Sequence, residues 1–201
     1  MDYKREIKNQ LIEIAMDFHN KNWFPASSGS LSFRISKSKM LVTPAGVSKG
    51  SLLPSSFIKA SIYKNKFNHG YLEPPLETKV HSWIYQNFLE VNCIMHSYSV
   101  AAIFWKQKNP KKESKWSGYE IQRFIHNIDS YRRTFKLIII DNAQDFDQLV
   151  KVLEEKKDLI ANNYAFLVTG KGEGRGLYCF SQYSNQCRLQ LEAIEYLLAS
   201  D

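Results

Sequence analysis

Six stretches of the chain favour α-helices, most of them through apolar residues at helical spacing. They span residues 4–20, 77–88, 100–105, 119–128, 145–156 and 185–198. In the first stretch, Leu11, Ile14 and Phe18 fall on one side of a helix, because positions three and four apart share a face. Pro74-Pro75 precedes the second stretch and suits a helix start. The chain is therefore expected to carry helices before, between and after its other elements.

Short apolar runs bounded by polar residues predict β-strands. They are Leu31–Ile35, Met40–Thr43, Ser56–Tyr63, Cys93–Met95, Leu137–Ile140 and Ala165–Val168. The first two flank the polar segment Ser36–Lys39, which indicates a hairpin. Cys93–Met95 and Leu137–Ile140 are apolar throughout, as in strands that are buried on both faces. Together these elements predict one layered α/β domain over residues 1–201, with helices packed on a central sheet.

The composition supports a folded domain and limits where it is found. Of the 201 residues 44% are hydrophobic, which is enough for a proper core. The three cysteines form no Cys-x-x-Cys pair, which points to a reducing compartment. No run approaches the roughly 20 apolar residues of a membrane span, and the N-terminus begins an amphipathic pattern instead of a secretion signal. We expect a cytoplasmic protein without a membrane partner.

The net charge of +7 is concentrated rather than spread over the chain. Much of the excess lies in residues 106–115, a run that is typical of a solvated loop. A nucleic-acid surface needs basic residues that alternate with stacking aromatics or are presented on a helix, and the sequence shows neither arrangement. The charge therefore does not favour a nucleic-acid partner.

Polar and glycine-containing motifs follow one another along almost the whole chain. They are Asn22–Arg34, Thr43–Gly46 with Lys49–Leu52, Glu77–His81, His96–Ala102, Gly118–Glu120, Asp141–Asp145, Gly176–Tyr178 and Leu191–Leu198. In this order the motifs resemble those of the class II aldolases and adducins, and among them the methylthioribulose-1-phosphate dehydratases of methionine salvage. The resemblance runs nearly from end to end.

This resemblance implies a three-layer fold with a central, largely antiparallel sheet flanked by helices, assembled as a homotetramer. It also implies a divalent metal, typically zinc, held by three histidines beside a bound sugar phosphate. Such a metal polarises substrate oxygens so that a nearby carboxylate can remove a proton. The three ligand positions of the family correspond here to His96, Tyr98 and Arg175.

Only His96 keeps a zinc-binding side chain at these positions. His96 and Tyr98 lie two apart on a strand and share a face, but a neutral tyrosine with a pKa near 10 is a poor ligand. The guanidinium of Arg175 repels a dication, and taking Lys171 as the third position also supplies a cation. We therefore expect no bound cofactor, zinc being the cofactor of the family. A site rebuilt from another residue, for instance Glu77 beside His96, stays open.

The resemblance also places a phosphate cradle in two turns, where glycine amides and short polar side chains can converge on phosphate oxygens. Ala45 and Ser30 replace a serine and an asparagine of the family, and Pro75-Leu76 removes a backbone N–H and a hydroxyl. A phosphorylated or other anionic small molecule remains the expected partner. The residues assigned to it are Ser28, Gly29, Ser30, Gly46, Lys49, Glu77, Tyr98 and Arg175.

Glu120 matches the acid/base carboxylate of the dehydratases, and its expected role is proton transfer. The structural alternative is that Ser117 caps a helix and Glu120, three residues on, completes a capping box. Glu77 has the same ambiguity at its helix start. We expect His81 to be a hydrogen-bonded core residue and assign packing or surface roles to the remaining histidines, which are His19, His69 and His126.

Three hypotheses follow for the function. The first is a dehydratase-like protein that keeps the fold and pocket while the zinc chemistry is lost or altered. The second is a metal-independent enzyme in which Arg175 binds an anionic metabolite and the glycine-rich residues 170–176 form a mobile lid. The third is a non-catalytic, adducin-like binding or scaffold protein.

Overall fold

The computed structural model describes residues 3–64, 67–68, 71–110, 113–142 and 144–201. His69 and part of the charged run, Lys111 and Lys112, lie outside the described residues. The helices are α1 (Tyr3–Asn20), α2 (Thr78–Asn87), α3 (Val100–Lys108), α4 (Phe146–Glu155), α5 (Lys157–Ala161) and α6 (Ser184–Ala199). Three short 3-10 helices span Lys49–Ser51, Pro54–Ser56 and Glu120–Phe124.

Eight strands of the described residues form one sheet. They are β1 (Ser30–Ser36), β2 (Lys39–Val42), β3 (Ile58–Ser61), β4 (Phe67–Asn68), β5 (Cys93–Ser97), β8 (Ile138–Asp141), β9 (Ala165–Thr169) and β10 (Gly176–Ser181). The order across the sheet is β4-β3-β2-β1-β5-β10-β9-β8, and only the β8–β9 pair is parallel. Outside it, β6 (Lys115–Trp116) and β7 (Phe135–Lys136) form a separate antiparallel pair. The largely antiparallel sheet is as the sequence predicts.

The core has two parts, one on each face of the sheet. Side chains of α1, α3 and α6 pack on one face, and those of α2, α4 and α5 pack on the other. Alternate residues of β5 point to opposite faces, so that Met95 joins the first cluster and Ile94 the second. The expected three-layer architecture is confirmed. None of the described helices is both long and apolar enough to span a membrane.

One predicted helix does not form, and two predicted strands form with other bounds or burial. Residues 119–128 form only the 3-10 turn Glu120–Phe124, because the buried amide of Gln122 donates to the carbonyls of Trp116 and Arg133 at 3.1 Å each and draws the chain into a compact turn. The strand expected at 56–63 forms only over Ile58–Ser61, because a turn at Pro54–Ser56 precedes it and the chain bends at 62–64. The strand at 138–141 lies at the edge of the sheet, so that only Ile140 is buried there.

Candidate functional site

A row of polar and aromatic side chains crosses the centre of the sheet on the face that carries α2. Ser30 of β1 and Tyr178 of β10 stand directly opposite His96 of β5 in the strand register. The rings of His96 and Tyr178 stack at 4.1 Å with 9° between their planes. The row therefore places His96, fully buried, between two neighbouring strands.

His81 of α2 covers this row and is held by two serines. Its Nδ1 lies 2.8 Å from the Ser32 hydroxyl and its Nε2 lies 3.2 Å from the Ser30 hydroxyl. Burial, with a smaller contribution from His96, lowers the pKa of His81 to about 3, so the ring is neutral at physiological pH. The prediction that His81 is a hydrogen-bonded core residue is confirmed. Ser30, expected near phosphate, is itself fully buried beneath His81.

The imidazole of His96 forms a hydrogen bond with a backbone carbonyl. Its Nε2 lies 2.8 Å from the carbonyl oxygen of Arg175, and since a carbonyl can only accept, Nε2 carries the proton. Its Nδ1 is buried without a hydrogen-bond partner among the described residues. Burial lowers the pKa of His96, an effect that Glu77 and the Arg175 carbonyl oppose and Lys49 reinforces. His96 is therefore a neutral ring whose unprotonated nitrogen is enclosed.

Tyr98 and Arg175, separated by most of the C-terminal half of the chain, meet beside His96. The guanidinium carbon of Arg175 lies 5.7 Å from the centroid of the Tyr98 ring, within the range of a cation–π contact. Both side chains are partly exposed. Among the residues that the structure describes, no carboxylate or carbonyl accepts a hydrogen bond from this guanidinium.

Two glycines allow the backbone of Arg175 to approach His96. Gly174 has φ +75° and Gly176 has φ +134°, conformations that L side chains rarely adopt. A Cβ atom on Gly176 would lie 2.2 Å from the Ser97 carbonyl oxygen and 2.4 Å from Nε2 of His96. The close contact of His96 with the Arg175 carbonyl thus depends on glycine at position 176.

The segment 170–176 is tied down along its length. Backbone amides of Gly172 and Glu173 donate to the carbonyls of Asn142 and Gln144 at 2.8 and 2.9 Å. The Asn142 side chain donates to the Glu173 carbonyl at 2.8 Å, and the Tyr178 hydroxyl donates to the Gly174 carbonyl at 3.0 Å. These bonds do not fit the mobile lid that the glycine content suggested.

Lys49 joins the two turns that were assigned to phosphate. Its ammonium donates to the carbonyls of Ser27, Pro44 and Val47 at 2.8, 3.2 and 3.0 Å, and the side chain is buried. Burial lowers the pKa of Lys49 to about 8, against an opposing effect of the Glu77 carboxylate, so the group remains mostly protonated at pH 7. Three carbonyl acceptors match the three N–H donors of an ammonium. In this geometry Lys49 clamps the turns together.

Replacing Lys49 with methionine is expected to lower the free energy of unfolding by about 2 kcal/mol, because three carbonyls lose a charged donor. Lys39, exposed beside the β1–β2 turn, provides a matched control, and K39M is expected to change stability by less than about 0.5 kcal/mol. Urea unfolding followed by tryptophan fluorescence measures both values. Equal effects of the two substitutions would contradict the clamp.

The remaining turn residues lie around this clamp. The Ser28 hydroxyl donates to the Pro25 carbonyl at 2.7 Å. Gly29 has φ +72°, and a Cβ there would meet the Phe24 ring at 2.3 Å and the His96 carbonyl at 2.9 Å. Gly46 has φ +67° and is exposed, with open space around its Cβ position. Of the predicted cradle, Gly46 is exposed and Ser28 is partly exposed.

The two candidate carboxylates occupy different environments. Glu77 is partly buried just before α2 and interacts electrostatically with His96 and Lys49, which places it with the central row. Glu120 is exposed and pairs with Arg123 at 3.3 Å. The capping-box alternative for Glu120 is wrong, because the helix begins at Glu120 and the Gln122 side chain accepts from the Tyr119 amide.

A buried acid behind the site was missed from the sequence. Glu195 of α6 is 2% exposed and accepts hydrogen bonds from the hydroxyls of Ser97 and Ser99, the residues on either side of Tyr98. Ser99 also caps α3 by accepting from the Ala102 amide. Burial raises the pKa of Glu195 to about 7, although both serine hydroxyls lower it. The signal in the sequence is that Glu195 lies beside Ile194 and four residues after Leu191, on the apolar side of its helix.

Comparisons with known proteins match the chain to one family and to solved structures of similar fold. A family model described as the Class II Aldolase and Adducin N-terminal domain matches residues 9–199. The methylthioribulose-1-phosphate dehydratase of Yersinia enterocolitica is 32% identical over 177 residues, covering 88% of this chain and 82% of the relative. The corresponding protein of Sodalis glossinidius is 30% identical over 177 residues, covering 88% and 86%.

Among solved structures, an L-fuculose 1-phosphate aldolase superposes with a TM-score of 0.73 at 16% identity, over 97% of this chain and 84% of that protein. At this identity the likeness concerns the fold.

Proposed function

Because the chain belongs to the Class II aldolase and adducin N-terminal domain family, we propose that it is a methylthioribulose-1-phosphate dehydratase-like protein that binds a phosphorylated or other anionic small molecule without the family's zinc chemistry. The observation that carries this proposal is the hydrogen bond from His96 Nε2 to the Arg175 carbonyl. A nitrogen that donates its proton has no lone pair to offer a metal.

The donor set does not fit a three-histidine zinc site. The positions that the resemblance assigns supply one imidazole, one phenol and one guanidinium, and the guanidinium is a permanent cation. The second nitrogen of His96 is enclosed in the core. Among the described residues, no group of three or more His, Cys, Asp or Glu side chains is placed to hold a metal ion. Glu77 and His96 together would supply only two metal ligands, one fewer than the three protein ligands that the family's zinc site needs.

The anionic ligand is supported by the Arg175 cation and by a turn that is open to solvent. Arg175 has no anionic partner among the described residues, and Gly46 leaves its turn open to solvent. The relatives named above act on phosphorylated sugars by their names. We keep Glu120 as a carboxylate of the site, since its exposure makes it reachable by a ligand, but without the zinc chemistry we expect it to transfer no proton.

The proposal is tested by assaying dehydration of methylthioribulose 1-phosphate with and without added zinc, using the Yersinia enterocolitica relative as the active control. We expect no turnover above background, together with measurable binding of the sugar phosphate by calorimetry. Zinc-dependent turnover near that of the control would overturn the proposal. Absence of both turnover and binding would also overturn it and would favour an adducin-like scaffold.

A further inference from the structure

We propose that Arg175, laid over the ring of Tyr98, is the oxyanion receptor of this site and binds a carboxylate or phosphate group of a compact ligand. The inference deepens the proposed function, because it rests on the same anion-binding site. Its starting point is that the two residues standing where the family has histidines contact each other at 5.7 Å. The two replacements therefore form one local unit.

The guanidinium has binding capacity that the protein leaves unused. It carries five N–H donors in a planar fork that matches the two oxygens of a carboxylate or phosphate. Within the described part of the chain no carboxylate or carbonyl accepts from it, and the face of Tyr98, over which it lies, supplies no acceptor in the plane of the fork. A guanidinium that lies over a ring face as a cation–π partner can still offer its N–H groups to an oxyanion.

The backbone under Arg175 is fixed on both sides. His96 Nε2 donates to the Arg175 carbonyl, and the Tyr178 hydroxyl donates to the carbonyl of Gly174. Both donors belong to fully buried side chains of the central row. A receptor that is already held in place loses less entropy on binding, which favours affinity for a small ligand.

The segment that carries Tyr98 is also held by hydrogen bonds. Its backbone amide donates to the Trp23 carbonyl at 2.8 Å. Its neighbours Ser97 and Ser99 both donate to the buried carboxyl of Glu195. The ring that orients Arg175 therefore stands on a segment tied to α6 and to the start of α3.

The surroundings define the ligand further. Glu77 is partly buried just before α2 and interacts electrostatically with His96, so the central row has a carboxylate in its surroundings. A ligand that spans both positions has one oxyanion for Arg175 and uncharged hydroxyl groups that can donate to Glu77. Hydroxy acids and small phosphate esters share this chemistry.

The test is isothermal titration of the full chain with two probes, inorganic phosphate and glycolate, which separate a phosphate from a carboxylate. R175A is expected to weaken binding of the preferred probe about tenfold or more, since charge-assisted hydrogen bonds are lost. R175K is expected to recover only part of the affinity, because an ammonium lacks the fork. Y98F keeps the ring and should stay within about threefold of the wild type, whereas Y98A should weaken binding beyond that.

Lys171 provides the matched control, since it is an exposed cation in the same segment. K171A is expected to stay within about twofold of the wild type, as for a screened surface charge. Unchanged affinity in R175A, equal losses in R175A and K171A, or no binding of either probe to the wild type would overturn the inference. Circular dichroism confirms that each variant is folded. Zinc-dependent dehydration by the wild type would instead overturn the proposed function, so the two failures are distinguishable.

Discussion

Replacing Gly176 with alanine is expected to lower the free energy of unfolding by about 4 kcal/mol. The residue has φ +134°, which costs an L side chain on the order of 1–3 kcal/mol in strain. Its new Cβ would also overlap the Ser97 carbonyl oxygen and Nε2 of His96, at 2.2 and 2.4 Å, which adds a similar cost of overpacking. Relief of this overlap requires the hydrogen bond between His96 and the Arg175 carbonyl to break. Urea unfolding measures the change.

The variant G118A is the control that separates backbone strain from steric overlap of the new Cβ atom. Gly118 has φ +89° but open space at its Cβ position, so G118A is expected to cost only about 1–2 kcal/mol. G176A should also weaken anion binding, because it displaces the backbone of Arg175, whereas G118A should leave binding unchanged. If the two substitutions cost the same stability, the packing of Gly176 against His96 does not restrain the site as described.

The second large effect concerns the pH dependence of stability. Burial raises the pKa of Glu195 from its ordinary value of 4.5 to about 7, so the folded protein favours the protonated acid. The stabilisation is therefore complete below pH 4.5 and is lost as the pH rises toward 7. Between pH 5 and pH 8 this one group should remove about 2.5 kcal/mol from the free energy of unfolding.

E195Q removes the titration while keeping one acceptor and one donor for the two serines. The difference in unfolding free energy between pH 5 and pH 8 is therefore expected to be about 2.5 kcal/mol smaller in E195Q than in the wild type. E155Q, at an exposed position near the end of α4, should reproduce the wild-type pH profile. A pH profile of E195Q that matches the wild type would show that the Glu195 carboxyl ionises as it does in the unfolded chain.

Much of the fold is encoded in local patterns, and the helices show why. The apolar spacing around Leu11 and Phe18 predicts α1 almost to the residue, and Asp145 accepts from the amides of Asp147 and Gln148 as a capping residue does. The sequence does not indicate the strand Gly176–Ser181, because it begins with a glycine after a glycine-rich segment and one of its two partners, β5, is distant in sequence. Residues 119–128 have the apolar spacing of a helix, but the hydrogen bonds of the buried Gln122 side chain hold them in a compact turn instead.

The sequence predicts which residues lie at the site, but it does not predict the contacts that they make. The sequence singles out His96, Tyr98 and Arg175, since motif positions survive changes in side chain. It does not indicate that the carbonyl of Arg175, a backbone atom, takes the proton of His96. It also hides Glu195, because one acidic residue in an amphipathic helix resembles its exposed neighbours until the packing of α6 on the sheet is known.

The central question is whether His96 is available to a metal. The most direct measurement is the zinc content per chain of protein that has been saturated with zinc and dialysed, combined with anomalous diffraction at the zinc edge. We predict far less than one zinc per chain, no anomalous peak beside His96, and the Arg175 guanidinium lying over Tyr98. One zinc per chain with a peak about 2.1 Å from His96 Nε2 would contradict this prediction.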